Sequence, residues 1–225
     1  MFKKTALMVV VNILLFVNIY SCAKYVFKET LSVARLDTGG NYYLITYTER
    51  TDPTEKIEKV YKDEKHDKDG SILKKWIMDK RTTLETIKIE DTSGDIEDLS
   101  YLFGGSNEIM VCLYLTKIDL SNFNTENVTN MTFMFYDCVR LVELDISSLD
   151  TSKVEDMSYM FFYCSSIENL NLRSFDTNKV TNMDYMFCRC SKLKEIQVSN
   201  RWKDTNASKV SMFKNSGVSS VTLYD

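Results

Sequence analysis

The chain has 225 residues, 44% of them hydrophobic and 27% charged, with a formal net charge of −4. That composition allows a sizeable buried core and excludes wholesale disorder. The mildly acidic balance lacks the basic footprint of non-specific nucleic-acid binding, so no nucleic-acid partner is expected.

In chain order, the N-terminus comes first and reads as an address. Lys3 and Lys4 precede an apolar run from Ala6 to Val17, interrupted by Asn12, and Asn18 to Ala23 turns polar and small. This is the order of a secretory signal, and the run falls short of the roughly 20 residues that span a bilayer. Residues 1–21 are expected to be a signal peptide. Ile19-Tyr20-Ser21-Cys22 resembles a bacterial lipobox, although Tyr20 departs from the usual small residue. That likeness implies lipid attachment at Cys22 and a membrane partner through the anchor. Ser21-Cys22-Ala23 also fits a small-x-small site for ordinary signal peptidase, which leaves the chain secreted without lipid. Either cut implies an exported protein, at the cell surface or outer membrane where it is anchored.

Residues 22–71 read as a small β-hairpin module and charged linker. TLSVARL and NYYLITYTE are β-rich runs separated by Asp37-Thr38-Gly39-Gly40, a hairpin composition. Twelve of the fifteen residues from Glu55 to Asp69 are charged or histidine, the mixed pattern of a solvated linker. Over 72–95 the spacing predicts a cap helix and strand, with Ile72, Leu73, Trp76 and Ile77 on one helical face.

From 96 to 225 the sequence repeats with a period of 26. Leu115, Leu141, Ile167 and Leu193 keep the step, as do Ile118, Leu144, Leu170 and Ile196. Val128, Val154 and Val180 keep it too, with Met131, Met157 and Met183, Phe135, Phe161 and Phe187, and Cys112, Cys138, Cys164 and Cys190. The L-x-x-L-D-L-S opening alternates like a short strand with one buried face. In V-x-x-M-x-x-x-F-x-x-C the apolar positions fall 3, 7 and 10 residues after the valine, which reads as one helical stripe. The period lies in the window of leucine-rich repeats. The expected fold is therefore an α/β leucine-rich-repeat solenoid with one short strand and one short helix per repeat.

LDLSNFNTENVTNMTFMFYDC, LDISSLDTSKVEDMSYMFFYC and LNLRSFDTNKVTNMDYMFCRC resemble BspA-like leucine-rich-repeat surface proteins, whose consensus runs LxxLDLSxFDTSxVTxMxxMFxxC. The resemblance spans about Ile87 to Asp225 and leaves out Cys22 to about Ile72. It implies a secreted or lipid-anchored surface protein and, as partner, a protein on a host or neighbouring cell or in the extracellular matrix.

Stacking places Cys112, Cys138, Cys164 and Cys190 in one column, pointing the same way rather than at each other, which is poor disulfide geometry. With Phe135, Phe161 and Phe187 they are expected to form a structural core ladder. Cys188 breaks the column and reads as an exposed thiol. The only histidine, His66, lies in the charged linker, and no carboxylate pair is set apart in an apolar pocket that would tune its pKa. No catalytic residue, cofactor or small-molecule substrate is expected. Asn124, Asp150, Asp176, Asn130, Asp156 and Asn182 read first as turn-makers. Calcium wants six to eight oxygens, more than the carboxylates of one repeat offer, so no metal is expected.

Binding then falls to the outward strand positions. Lys117, Glu143, Asn169 and Glu195 form one column; Asp119, Asp145, Asn171 and Gln197 a second; Ser121, Ser147, Arg173 and Ser199 a third. The function implied is non-enzymatic surface binding or adhesion, with a structural spacer as the alternative and an enzyme third.

Overall fold

The computed structural model describes residues 32–37, 42–49, 68–91, 94–105, 112–203 and 205–224. The expected signal peptide, the lipid-attachment residue Cys22 and most of the charged linker lie outside the described residues. The elements are β1 (Ser32–Asp37), β2 (Tyr42–Glu49), α1 (Ser71–Lys80), β3 (Leu84–Asp91), β4 (Lys117–Phe123), β5 (Glu143–Asp145), β6 (Asn169–Leu172), β7 (Glu195–Val198) and β8 (Thr222–Leu223). They form a five-stranded sheet in the order β1-β2-β3-β4-β5 and a three-stranded sheet in the order β6-β7-β8.

The strands β1, β2 and β3 pair antiparallel, and from β3 onward every pairing is parallel. The register of β4 on β5 sets Ile118 beside Leu144, and that of β6 on β7 sets Leu170 beside Ile196. Equivalent repeat positions are therefore neighbours. α1 forms because Leu73, Trp76 and Ile77 recur at helical spacing and bury together. Its first turn is opened by Asp69, whose Oδ1 accepts from the Ser71 amide at 3.0 Å, and Trp76 meets Tyr47 edge-on at 5.0 Å.

The predicted α/β leucine-rich-repeat solenoid is not what this chain forms. Among the described residues α1 is the one α-helix, and it precedes the repeats; the fold is mostly β. The segments read as repeat helices are ladders of tight turns. Phe133, Asp137, Tyr159, Tyr163, Tyr185 and Arg189 all have φ between 57° and 63°, and a left-handed residue every fourth position cannot propagate a right-handed helix. The backbone bonds alternate instead. The amides of Met131, Phe133, Phe135 and Asp137 donate to the carbonyls of Asp156, Ser158, Met160 and Phe162 in the next layer, at 2.8–3.1 Å. Those of Met134, Tyr136 and Cys138 close local turns on residues three back, at 3.1–3.3 Å. The pattern recurs at 157–164 and 183–190. Turns of three to four residues bury nearly the same positions as a helix, so Val128, Met131, Met134, Phe135 and Cys138 are all fully buried.

The core is a set of columns running through the layers. Phe103, Phe135, Phe161, Phe187 and Phe213 stack at centroid spacings of 5.3–5.7 Å with interplanar angles of 7–12°. At Gly104 a Cβ would lie 2.3 Å from the Phe133 carbonyl oxygen, so only glycine lets the first layer approach the second this closely.

Candidate functional site

Of the twelve outward positions, the nine other than Ser121, Ser147 and Ser199 sit on β4 to β7 and the turn after β6. Alternation along each strand turns the apolar residues inward and these outward: Lys117, Glu143, Asp145, Asn169, Asn171 and Arg173 are exposed, while Asp119, Glu195 and Gln197 are partly so. The strands bring Lys117 beside Glu143, Asp119 beside Asp145, Asn169 beside Glu195 and Asn171 beside Gln197. Among the described residues β5 does not pair with β6, so each expected column of four is divided between two sheets.

Much of this face is internally engaged. Lys117 Nζ lies 2.6 Å from Glu143 Oε2, and that carboxylate, by hydrogen bond and charge, raises the Lys117 pKa. Burial pushes the Asp119 carboxyl up, but hydrogen bonds from Ser121 and the charges of Lys88 and Lys117 outweigh it and hold the group below its ordinary value. Asp119, Asp145 and Asn171 each accept, through Oδ1, from the amide two residues on, at 2.9, 3.1 and 3.2 Å. That column therefore terminates its own strands as Asx turns. At the far end Tyr224 Oη donates to Glu195 Oε1 at 2.5 Å, which lowers the Glu195 pKa, with Gln197 assisting, and raises that of Tyr224. The Arg173 guanidinium lies 5.3 Å from the Tyr224 ring centre. A shallow open depression of about 350 Å³ runs over the β4–β5 pair, lined by Lys117, Asp119, Glu143, Asp145, Ile118 and Leu144.

Cys112, Cys138, Cys164 and Cys190 are buried and free. Cys164 and Cys190 donate through Sγ to the carbonyls of Phe135 and Phe161 at 3.1 and 2.9 Å. Burial pushes the Cys112 and Cys190 thiols up to about 12 and raises those of Cys138 and Cys164 well above the ordinary value. Cys188, read as an exposed thiol, is 3% exposed: it falls in the turn ladder, whose local geometry carries it under the surface.

Two features escaped the sequence reading. Thr125, Thr151 and Thr177 are buried struts, and their Oγ1 atoms donate to the carbonyls of Asp150, Asp176 and Arg201 in the next layer at 2.8–3.0 Å. Tyr101, Phe133, Tyr159 and Tyr185 form a second, half-buried aromatic column at 4.6–4.8 Å. The last three keep the repeat period, a signal that was open to a reading of the sequence. Bulky residues at positive φ are costly, and mutual stacking offsets that cost.

Among the described residues no three His, Cys, Asp or Glu side chains converge to hold a metal, and no helix is long and apolar enough to cross a membrane. Fold and surface together define a mostly-β repeat protein with parallel layers and a polar strand face. Residues 91–223 match the family described as Mycoplasma protein of unknown function, DUF285, and the chain belongs to that family. Neither a curated protein nor a solved structure matches the chain.

Proposed function

We propose that this is a non-enzymatic cell-surface binding protein, held at the membrane through a lipidated Cys22, whose polar strand face engages a protein of a host or neighbouring cell or of the extracellular matrix. One observation carries the reading: exposed polar side chains recur in parallel register over a continuous apolar core. Such a surface is extended and repetitive, suited to a macromolecule rather than to a small substrate. The likeness of the three repeat segments to BspA-like surface proteins supports the same class of partner.

The test is capture of matrix proteins and host-cell surface proteins by the full chain, compared with Glu143→Lys/Asn169→Lys. Both side chains are exposed, and neither caps a turn among the contacts described above, so the double variant should keep its thermal midpoint while losing most of the capture. Failure of the wild type to capture any surface protein favours a structural spacer. That second reading has its own support, because Lys117, Glu143, Glu195 and the Asx column are already partnered within the chain. For the anchor, Cys22→Ala should move the protein from the membrane fraction to the soluble fraction, and unchanged fractionation rejects lipidation at that residue.

A further inference from the structure

The turn ladder gives each layer a direction. The amides of Met183, Tyr185, Phe187 and Arg189 all donate forward, to the carbonyls of Ser208, Val210, Met212 and Lys214 at 2.8–3.0 Å. At these four alternate positions of the ladder a layer presents only donors on its forward side. At the ladder's start, by contrast, the amides of Thr129, Glu155, Thr181 and Ser208 donate backward to the carbonyls of Glu97, Thr129, Glu155 and Thr181. Along the four-residue row the stack ends as a helix does, with donors left over.

The two ends are finished differently. At the first layer Ile96, Leu99, Leu102 and Phe103 are all 0% exposed. The Lys68 carbonyl accepts from the amides of Glu97 and Asp98 at 2.7 and 3.3 Å, and Lys74 pairs with Asp98 at 3.4 Å. The last layer is built like those before it: Ser211 and Asn215 have φ of 52° and 60°, and Met212, Lys214 and Ser216 close the same local turns. Yet its forward amides, those of Lys209, Ser211, Phe213 and Asn215, find no acceptor among the described residues. Within the row Val210 is 54% exposed, and Phe213 is only partly buried. Ser199 Oγ and the Trp202 indole N–H, both from the same final segment, are buried without a partner.

A donor-only row narrows what can fit it. The edge of an ordinary strand alternates donors and acceptors. A second copy meeting the same end brings donors against donors, and the opposite end of a second copy is covered. Charge points the same way: from Asn200 to Asp225 there are four basic side chains, Arg201, Lys203, Lys209 and Lys214, and two acidic, Asp204 and Asp225, in a chain of net charge −4. Carboxylates accept from backbone amides more strongly than neutral groups do, and the exposed Val210 with the partly buried Phe213 adds apolar contact that a sulfated polysaccharide has little to match. We infer that the forward end of the stack is a docking edge for an acidic, partly apolar extended segment of a partner protein, whose carboxylates accept from the Lys209, Ser211, Phe213 and Asn215 amides. This surface is separate from the strand face, and the inference does not depend on that reading.

The probe is an acetylated (Glu-Val)5 peptide added to the full chain, with (Gln-Val)5 and a heparin fragment as comparisons. The expected result is affinity for the glutamate peptide at least roughly tenfold above that for the glutamine peptide, weakening with salt. Amide exchange at 209, 211, 213 and 215 should be fast in the free protein and slow on binding. Lys209→Glu/Lys214→Glu should abolish binding at unchanged thermal midpoint, whereas Glu143→Lys/Asn169→Lys should leave it intact. Equal affinity for the two peptides, protection only at other amides, protection already present in the free protein, or preference for the heparin fragment each overturns the proposal.

Discussion

Along the strand side of the repeats, β4 and β5 share three register pairs and β5 and β6, among the described residues, none. Along the turn side the bridges run unbroken from Asp98 through Asn130, Asp156 and Asn182 to Ser208, with cross-layer amide bonds at each step and two aromatic columns beside them. The strand side is thus mainly a place to display side chains, and the turn side is what holds one layer on the next. An interruption in the sheet is tolerated because buried threonines and stacked phenylalanines carry the stacking where strand pairing lapses.

The sharpest way to break this contrast is to truncate a ring on one side and an aliphatic chain on the other. Phe161→Ala, at a fully buried site between Phe135 and Phe187, should cost about 3–5 kcal/mol in denaturant unfolding. Leu144→Ala, at a partly buried site on β5, should cost about 1–2 kcal/mol, having less apolar area to lose. Equal losses would mean that the sheet carries the stacking after all.

Thr151→Val tests the polar component of the turn side. Thr151 Oγ1 donates to the Asp176 carbonyl at 3.0 Å and accepts from the Asp176 amide at 2.7 Å. Valine leaves both groups without their partner, at about 1–3 kcal/mol, read as a lower denaturation midpoint at unchanged slope.

Alkaline pH probes the same interior. Burial raises the thiols of the cysteine column, to about 12 at Cys112 and Cys190 against an ordinary value of 9.0. A folded-state pKa raised in this way favours the protonated native form: its stabilising effect is complete below pH 9 and is lost as pH climbs from there toward 12. The denaturation midpoint should therefore fall across that window, and a Cys138→Ala/Cys164→Ala variant should fall less steeply. At lower pH, iodoacetamide should modify these thiols only as fast as the chain opens.

The smallest effect belongs to the strand side. Lys117→Ala removes a pair whose side chains are 51% and 64% exposed, where water screens most of the attraction. The thermal midpoint should stay within experimental scatter at low and at high salt, and a clear drop would show that the face contributes to stability as well as display.

Much of this was legible in single residues. The repeat step from Cys138 to Cys164 to Cys190 announces a column, and the outward positions of Lys117 and Glu143 follow from strand alternation. The turn-making of Asn130, Asp156 and Asn182, each accepting through Oδ1 from the amide two residues on, follows from side chains short enough to reach their own backbone. At Asp119, Asp145 and Asn171 the sequence reads only as display on the face, and the same role there emerges from the structure. The strut at Thr151 was not legible, because its partner is a carbonyl 25 residues away whose direction depends on how two layers meet.

The sequence by itself determined which repeat side chains lie over one another and that the apolar columns among them are buried, since a constant interval forces equivalent residues into equivalent surroundings. Only the tertiary structure decided the backbone between Val128 and Cys138. Apolar residues at offsets of 3, 7 and 10 fit a helix and a ladder of tight turns equally well. The choice falls to the ladder because the next layer supplies acceptors for the amides of Met131, Phe133, Phe135 and Asp137, which a helix would have satisfied internally.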